Sequence, residues 1–146
     1  MLLDISASMA GAPLAAMGQT ISLLLHELGA IPQTARDARM SVLTFASEAS
    51  QISSLTTIER FTPPVLQAGG ASALGKGLQL LAEVLGREVV TGYGERQRDH
   101  KPHIFLLTDG HPTDRWPCAL RAFRCQWPAH SLTLIGLGCG PQAYLG

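Results

Sequence analysis

Apolar positions along this chain fall alternately into short continuous runs and into stripes spaced three and four apart. Residues 1–3 are apolar and read as the end of a buried strand. After Gly11 and Pro13, the residues Leu14, Met17, Ile21, Leu24, Leu25 and Leu28 form one helical stripe, which Gly29 and Pro32 are expected to stop. Residues 40–46 (MSVLTFA) are rich in β-branched and aromatic types and predict a strand. Residues 51–58 form a weaker run, expected to pair back on it as an edge strand across the polar turn at Ser47 and Glu48. Residues 61–64 (FTPP) then break regularity and lead into the Gly-rich loop 68–72 (AGGAS). Leu74, Leu78, Leu81, Leu85 and Val89 mark a long amphipathic helix, and residues 92–102 a polar, charged linker ended by proline. Residues 103–108 (HIFLLT) suit a strand buried on both faces. Trp116, Leu120, Phe123 and Trp127 give a third helical face, and residues 131–137 (SLTLIGL) a last strand before a closing loop.

That alternation predicts an α/β fold: a doubly wound, Rossmann-like, mostly parallel sheet with one antiparallel edge strand and helices on both faces. With 146 residues the expected organisation is a single domain over 1–146. A domain of that length buries roughly 68–70% of its unfolded surface. Right-handed crossovers put ligands outside the carboxyl ends of the strands, where the strand order reverses.

Two loops that leave such ends carry the candidate chemistry. Asp4, Ser6 and Ser8 stand at alternate positions after the first strand, so one carboxylate and two hydroxyls share a side of an extended loop. Oxygen donors of this kind suit Mg²⁺ (or Mn²⁺), and Mg²⁺ takes them at about 2.0–2.1 Å in near-octahedral geometry while keeping some water. Asp109, in the run Leu107-Thr108-Asp109-Gly110, can complete the site if its strand neighbours the first. Each piece has a plainer reading. Asp and Ser cap helices well, Asp-Gly is a common turn, and Asp114 is placed to cap the helix after Pro112.

Taken in order, DxSxS after a first strand, a hydroxyl in a Gly-rich loop before a helix, and TDG after a later strand resemble the von Willebrand factor A (vWA) domain and its metal-ion-dependent adhesion site. The resemblance runs over nearly the whole chain. It implies a metal held by Asp4, Ser6, Ser8, Ser72 and Asp109, with Ser72 standing where the family usually has Thr. It further implies a non-enzymatic module whose protein partner supplies an acidic residue to the ion. Residues 61–64, 72–81 (SALGKGLQLL), 101–114 (KPHIFLLTDGHPTD) with Trp116, and 135–140 (IGLGCG) look like the bacterial tellurium-resistance TerY-like branch. Members of that branch belong to stress-resistance systems and accompany kinase- or phosphatase-like partners. Family domains usually have a fuller first strand and continue into another strand and helix, so the chain is expected to be truncated at both ends.

Composition narrows the partners. Eleven Lys and Arg balance eleven Asp and Glu, so no long-range attraction to nucleic acid or anionic membrane is expected. No run approaches the ~20 apolar residues of a membrane span. Three cysteines without CxxC spacing, and no leader pattern, indicate reduced thiols and the cytoplasm. Residues 70–77 nearly spell a phosphate-binding loop, but Gly77 occupies the position that needs a Ser or Thr hydroxyl. His100, His103 and His111 read as structural or loop residues. The alternative function, a metal-dependent phosphoryl-transfer or hydrolytic enzyme on a similar scaffold, lacks a visible nucleophile and base.

Overall fold

A computed structural model describes residues 1–89 and 100–139. Its elements in chain order are β1 (Leu2–Asp4), α1 (Ala12–Gly29), α2 (Pro32–Asp37), β2 (Arg39–Phe45), β3 (Ala49–Thr57), α3 (Leu74–Glu88), β4 (His103–Thr108), α4 (Trp116–Gln126) and β5 (Thr133–Gly138). Single 3-10 turns follow β1 at Ala7–Met9 and β3 at Ile58–Arg60. The five strands form one sheet in the order β3-β2-β1-β4-β5, with β3 antiparallel to β2 and every other pair parallel. This is the expected α/β architecture.

β1 is three residues long yet central, and period-2 alternation lets it serve both faces. Leu2 points to the side where Leu43, Phe45, Leu78, Leu81, Ile104 and Phe123 pack under α3 and α4. Leu3 points to the other, against Val42, Leu107 and the α1 residues Met17 and Ile21. Helices therefore cover both faces of the sheet. The stripes read from spacing supply these contacts: Leu74, Leu78, Leu81 and Leu85 are buried on α3, and Phe123 and Trp127 at α4. Gly77 lets α3 approach the sheet closely, since a Cβ there would lie 3.1 Å from the ring of Phe45.

Three expectations need correction. Pro32 does not simply end α1; it opens the short helix α2, because its fixed φ suits a first helical turn where no N–H bond is needed. The edge strand starts earlier than residue 51 and ends at Thr57, since the tight turn at Ser47 and Glu48 lets pairing begin at Phe45–Ala49. Its register is irregular between Met40 and Leu43. The last strand begins at Thr133 rather than 131, after Ser131 closes a turn on the Pro128 carbonyl. Most of the polar linker at 92–102 and the end of the closing loop lie outside the described residues. Cys118 and Cys125 are exposed and Cys139 half-buried, and none of the three is paired with another. Among the described residues no helix is long and apolar enough to cross a membrane.

Candidate metal centre

From β1 the chain runs outward to β2 and β3, then returns through α3 to β4 on the opposite side of β1. The strand order reverses between β1 and β4, so the crevice for a ligand opens at their carboxyl ends. Asp4 is the last residue of β1, and Thr108 and Asp109 stand at the end of β4. Leu3 pairs with Leu107, which sets these ends side by side.

Asp4 is fully buried. Its Oδ1 accepts the backbone N–H of Ser6 at 2.9 Å, and its Oδ2 accepts the hydroxyls of Ser72 at 2.9 Å and Thr108 at 2.8 Å. All three donors are neutral. Oδ2 thereby uses both of its lone pairs, while Oδ1 keeps one for a further donor or a water. Ser6 and Ser8 face one another, hydroxyl to hydroxyl, at 3.1 Å; Ser6 is buried and Ser8 exposed. Ser6 stands just before the 3-10 turn yet makes no side-chain capping bond, and the N-cap of α1 is Gly11. Helix capping therefore does not account for these oxygens.

The backbone fixes the loops to one another. Gly69 donates to the Ile5 carbonyl at 2.8 Å and Ala7 to that of Gly70 at 2.9 Å, lacing the β1 loop to the Gly-rich loop. Ala73 donates to the Ala46 carbonyl at 2.9 Å. Asp109 is buried, and its Oδ1 accepts the backbone N–H of His111 at 3.1 Å. It thus joins the others by position, across paired strands, whereas Asp4, Ser6, Ser8 and Ser72 are linked by hydrogen bonds. Electrostatics gives a second link. Cys139, whose N–H donates to the Thr108 carbonyl, has its thiol pKa raised by burial, then by the charges of Asp4 and Asp109. Both carboxylates therefore lie within electrostatic reach of one sulfur.

Thr108 is the residue sequence reasoning passed over. It lay inside the TDG run without a role, yet it donates to Asp4 and accepts the Gly110 N–H at 3.1 Å. The available signal was a hydroxyl on the last residue of an otherwise apolar strand. Asp114 also departs from expectation: α4 is preceded by Arg115, and Asp114 accepts the Gly75 N–H in the first turn of α3 instead. Lys76 is engaged with Glu48 and the Ser47 carbonyl, away from any phosphate cradle.

The donor chemistry fits a hard ion. Among the described residues no three His, Cys, Asp or Glu side chains gather, so a cation here would rest on hydroxyls and two carboxylates. Oxygen-only sets of this kind suit Mg²⁺ or Mn²⁺ over Zn²⁺. A fully buried carboxylate held by neutral donors alone is also a costly charge that a cation would offset.

The sequence matches the von Willebrand factor type A domain profile over residues 1–111. The chain belongs to the vWA family. No curated protein matches it. The vWA fold recurs in solved structures of low sequence identity. An aerotolerance-related membrane protein from Bacteroides fragilis, crystallised with multiple mutations to serines, is 20% identical with a TM-score of 0.62, over 95% of this chain and 65% of that one. BatB from Bacteroides thetaiotaomicron is 21% identical with a TM-score of 0.61, over 94% and 63% respectively. A von Willebrand factor type A protein from Catenulispora acidiphila is 18% identical with a TM-score of 0.64, over 94% and 32%. The chain thus spans just under two thirds of the length of the two Bacteroides proteins. At these identities the likeness is one of fold. vWA domains are in general interaction modules rather than enzymes.

Proposed function

We propose that this vWA domain is a divalent-metal-dependent protein-binding module. The observation that carries the reading is the buried Asp4 carboxylate, bonded to Ser72 and standing beside the Ser6–Ser8 hydroxyl pair at the switch point of the sheet. Ser6 and Ser8 would ligate Mg²⁺ (or Mn²⁺) directly, and Ser72 when a partner is bound. Asp4 and Asp109 would supply negative charge, Asp4 through a water on the remaining lone pair of its Oδ1. With few anionic direct ligands the ion stays electrophilic, and a coordination position is left for a carboxylate of the partner. The domain then works by capture, without catalysis.

The runs at 61–64, 72–81, 101–114 and 135–140 support membership of the TerY-like branch. On that reading the domain would act in the cytoplasm, in a tellurium- or stress-resistance system, with kinase- or phosphatase-like partners. The immobilised chain should retain its partner from lysate in Mg²⁺ and release it in EDTA, and Asp109→Ala should retain none. Capture that persists through both chelation and Asp109→Ala contradicts the proposal. Turnover of a phosphate ester that depends on Asp4 would favour the enzymatic alternative.

A further inference from the structure

The loop after β4 carries Asp109, and four and five residues later it holds the segment from Ser72 into α3 at two points. The N–H and Oγ1 of Thr113 both donate to the Ser72 carbonyl, at 2.7 and 3.1 Å. The Oδ2 of Asp114 accepts the Gly75 N–H at 2.8 Å. Helix α3 has Ala73 at its N-cap and no cap of its own, so the cap comes from this distant loop. Gly75 and Asp114 are a matched pair, since a Cβ on residue 75 would stand 2.7 Å from the Asp114 carboxylate. Ser72 is therefore held at its carbonyl by Thr113 and at its hydroxyl by Asp4.

The geometry points to Thr113 and Asp114 as positioning residues of the metal centre, acting through Ser72. This rests on the metal-binding reading above. By fixing the Ser72 carbonyl and the Gly75 N–H that follows it, they aim the Ser72 hydroxyl at the site. They also make the loops of Asp109 and Ser72 one mechanical unit, so that ordering either orders the other. Neither residue needs to touch the ion. Partners that orient ligands typically change metal affinity by about 10–100-fold.

A double-mutant cycle with Mn²⁺ as the probe tests this, using titration calorimetry on wild type, Asp114→Ala, Ser72→Ala and the double variant. Asp114→Ala should weaken Mn²⁺ binding about tenfold in the wild-type background and less than about twofold once Ser72 is alanine. Asp114→Asn, which can still accept from Gly75, should restore most of the affinity. Equal losses in both backgrounds, or no rescue by Asn, would overturn the inference, as would a lowered melting temperature with unchanged Mn²⁺ affinity. Should Asp114→Ala fail to fold, Thr113→Val takes its place in the cycle with the same expected pattern. A wild-type chain that takes no Mn²⁺ at all overturns the metal centre itself, an outcome distinct from any of these.

Discussion

Asp4 Oδ2 accepts the hydroxyl of Ser72 at 2.9 Å, joining residues 68 positions apart in the chain. The bond ties the central strand to the loop that starts α3, and both of its residues are buried. It makes Ser72 a structural donor as well as a candidate ligand.

Ser72→Ala removes one of two hydroxyl donors to a buried carboxylate. The metal-free protein should lose about 1–3 kcal/mol of stability in urea unfolding. Ser72→Thr keeps the donor and adds a methyl that restricts χ1. It should bind Mn²⁺ more tightly than wild type, by calorimetry.

Thr108→Val keeps the shape of the side chain and deletes both its bonds, to Asp4 and from Gly110. A loss of about 1–3 kcal/mol is expected, again from urea unfolding. Because Thr108 and Ser72 share one oxygen, the double variant should depart from the sum of the single effects.

Gly77→Ala would place a methyl 3.1 Å from the ring of Phe45, which is itself fully buried and would have to shift within a packed core. Overpacking of this sort costs about 1–3 kcal/mol. A lower melting temperature with unchanged Mn²⁺ affinity per folded molecule is the expected result.

The amino group of Met1 donates to the Ser41 carbonyl, and burial lowers its pKa from 8.0 to about 6. Between those values the unfolded chain binds the proton more readily than the folded one, so stability should rise with pH from about 6 to 8. Melting of the 146-residue chain across that range checks this. Acetylating the amine, which removes its charge, should flatten the rise.

Much of the architecture was legible because it rests on periodicity. The three-four spacing on α1 and α3 and the apolar run of β4 needed no knowledge of neighbours. Boundaries were harder, because turns decide them: Pro32 reads as a stop until its place in a first helical turn is seen. Asp4, Ser6, Ser8 and Asp109 were legible as oxygens in loops leaving strand ends, and Ser72 through the family resemblance; the pairing of β1 with β4 sets the ends that carry Asp4 and Asp109 side by side. Thr108 and Asp114 were not, because their roles are contacts at long range in sequence. Nothing near Asp114 marks Gly75 as its partner, 39 residues earlier.

Diffraction at the manganese absorption edge, from crystals grown with Mn²⁺, tests the metal centre most directly. One anomalous peak should appear within bonding distance of the Ser6 and Ser8 hydroxyls, with Asp4, Ser72 and Asp109 around it, and should vanish in Asp109→Ala. Absence of a peak there at saturating Mn²⁺, or a peak lodged on other carboxylates, would contradict the account.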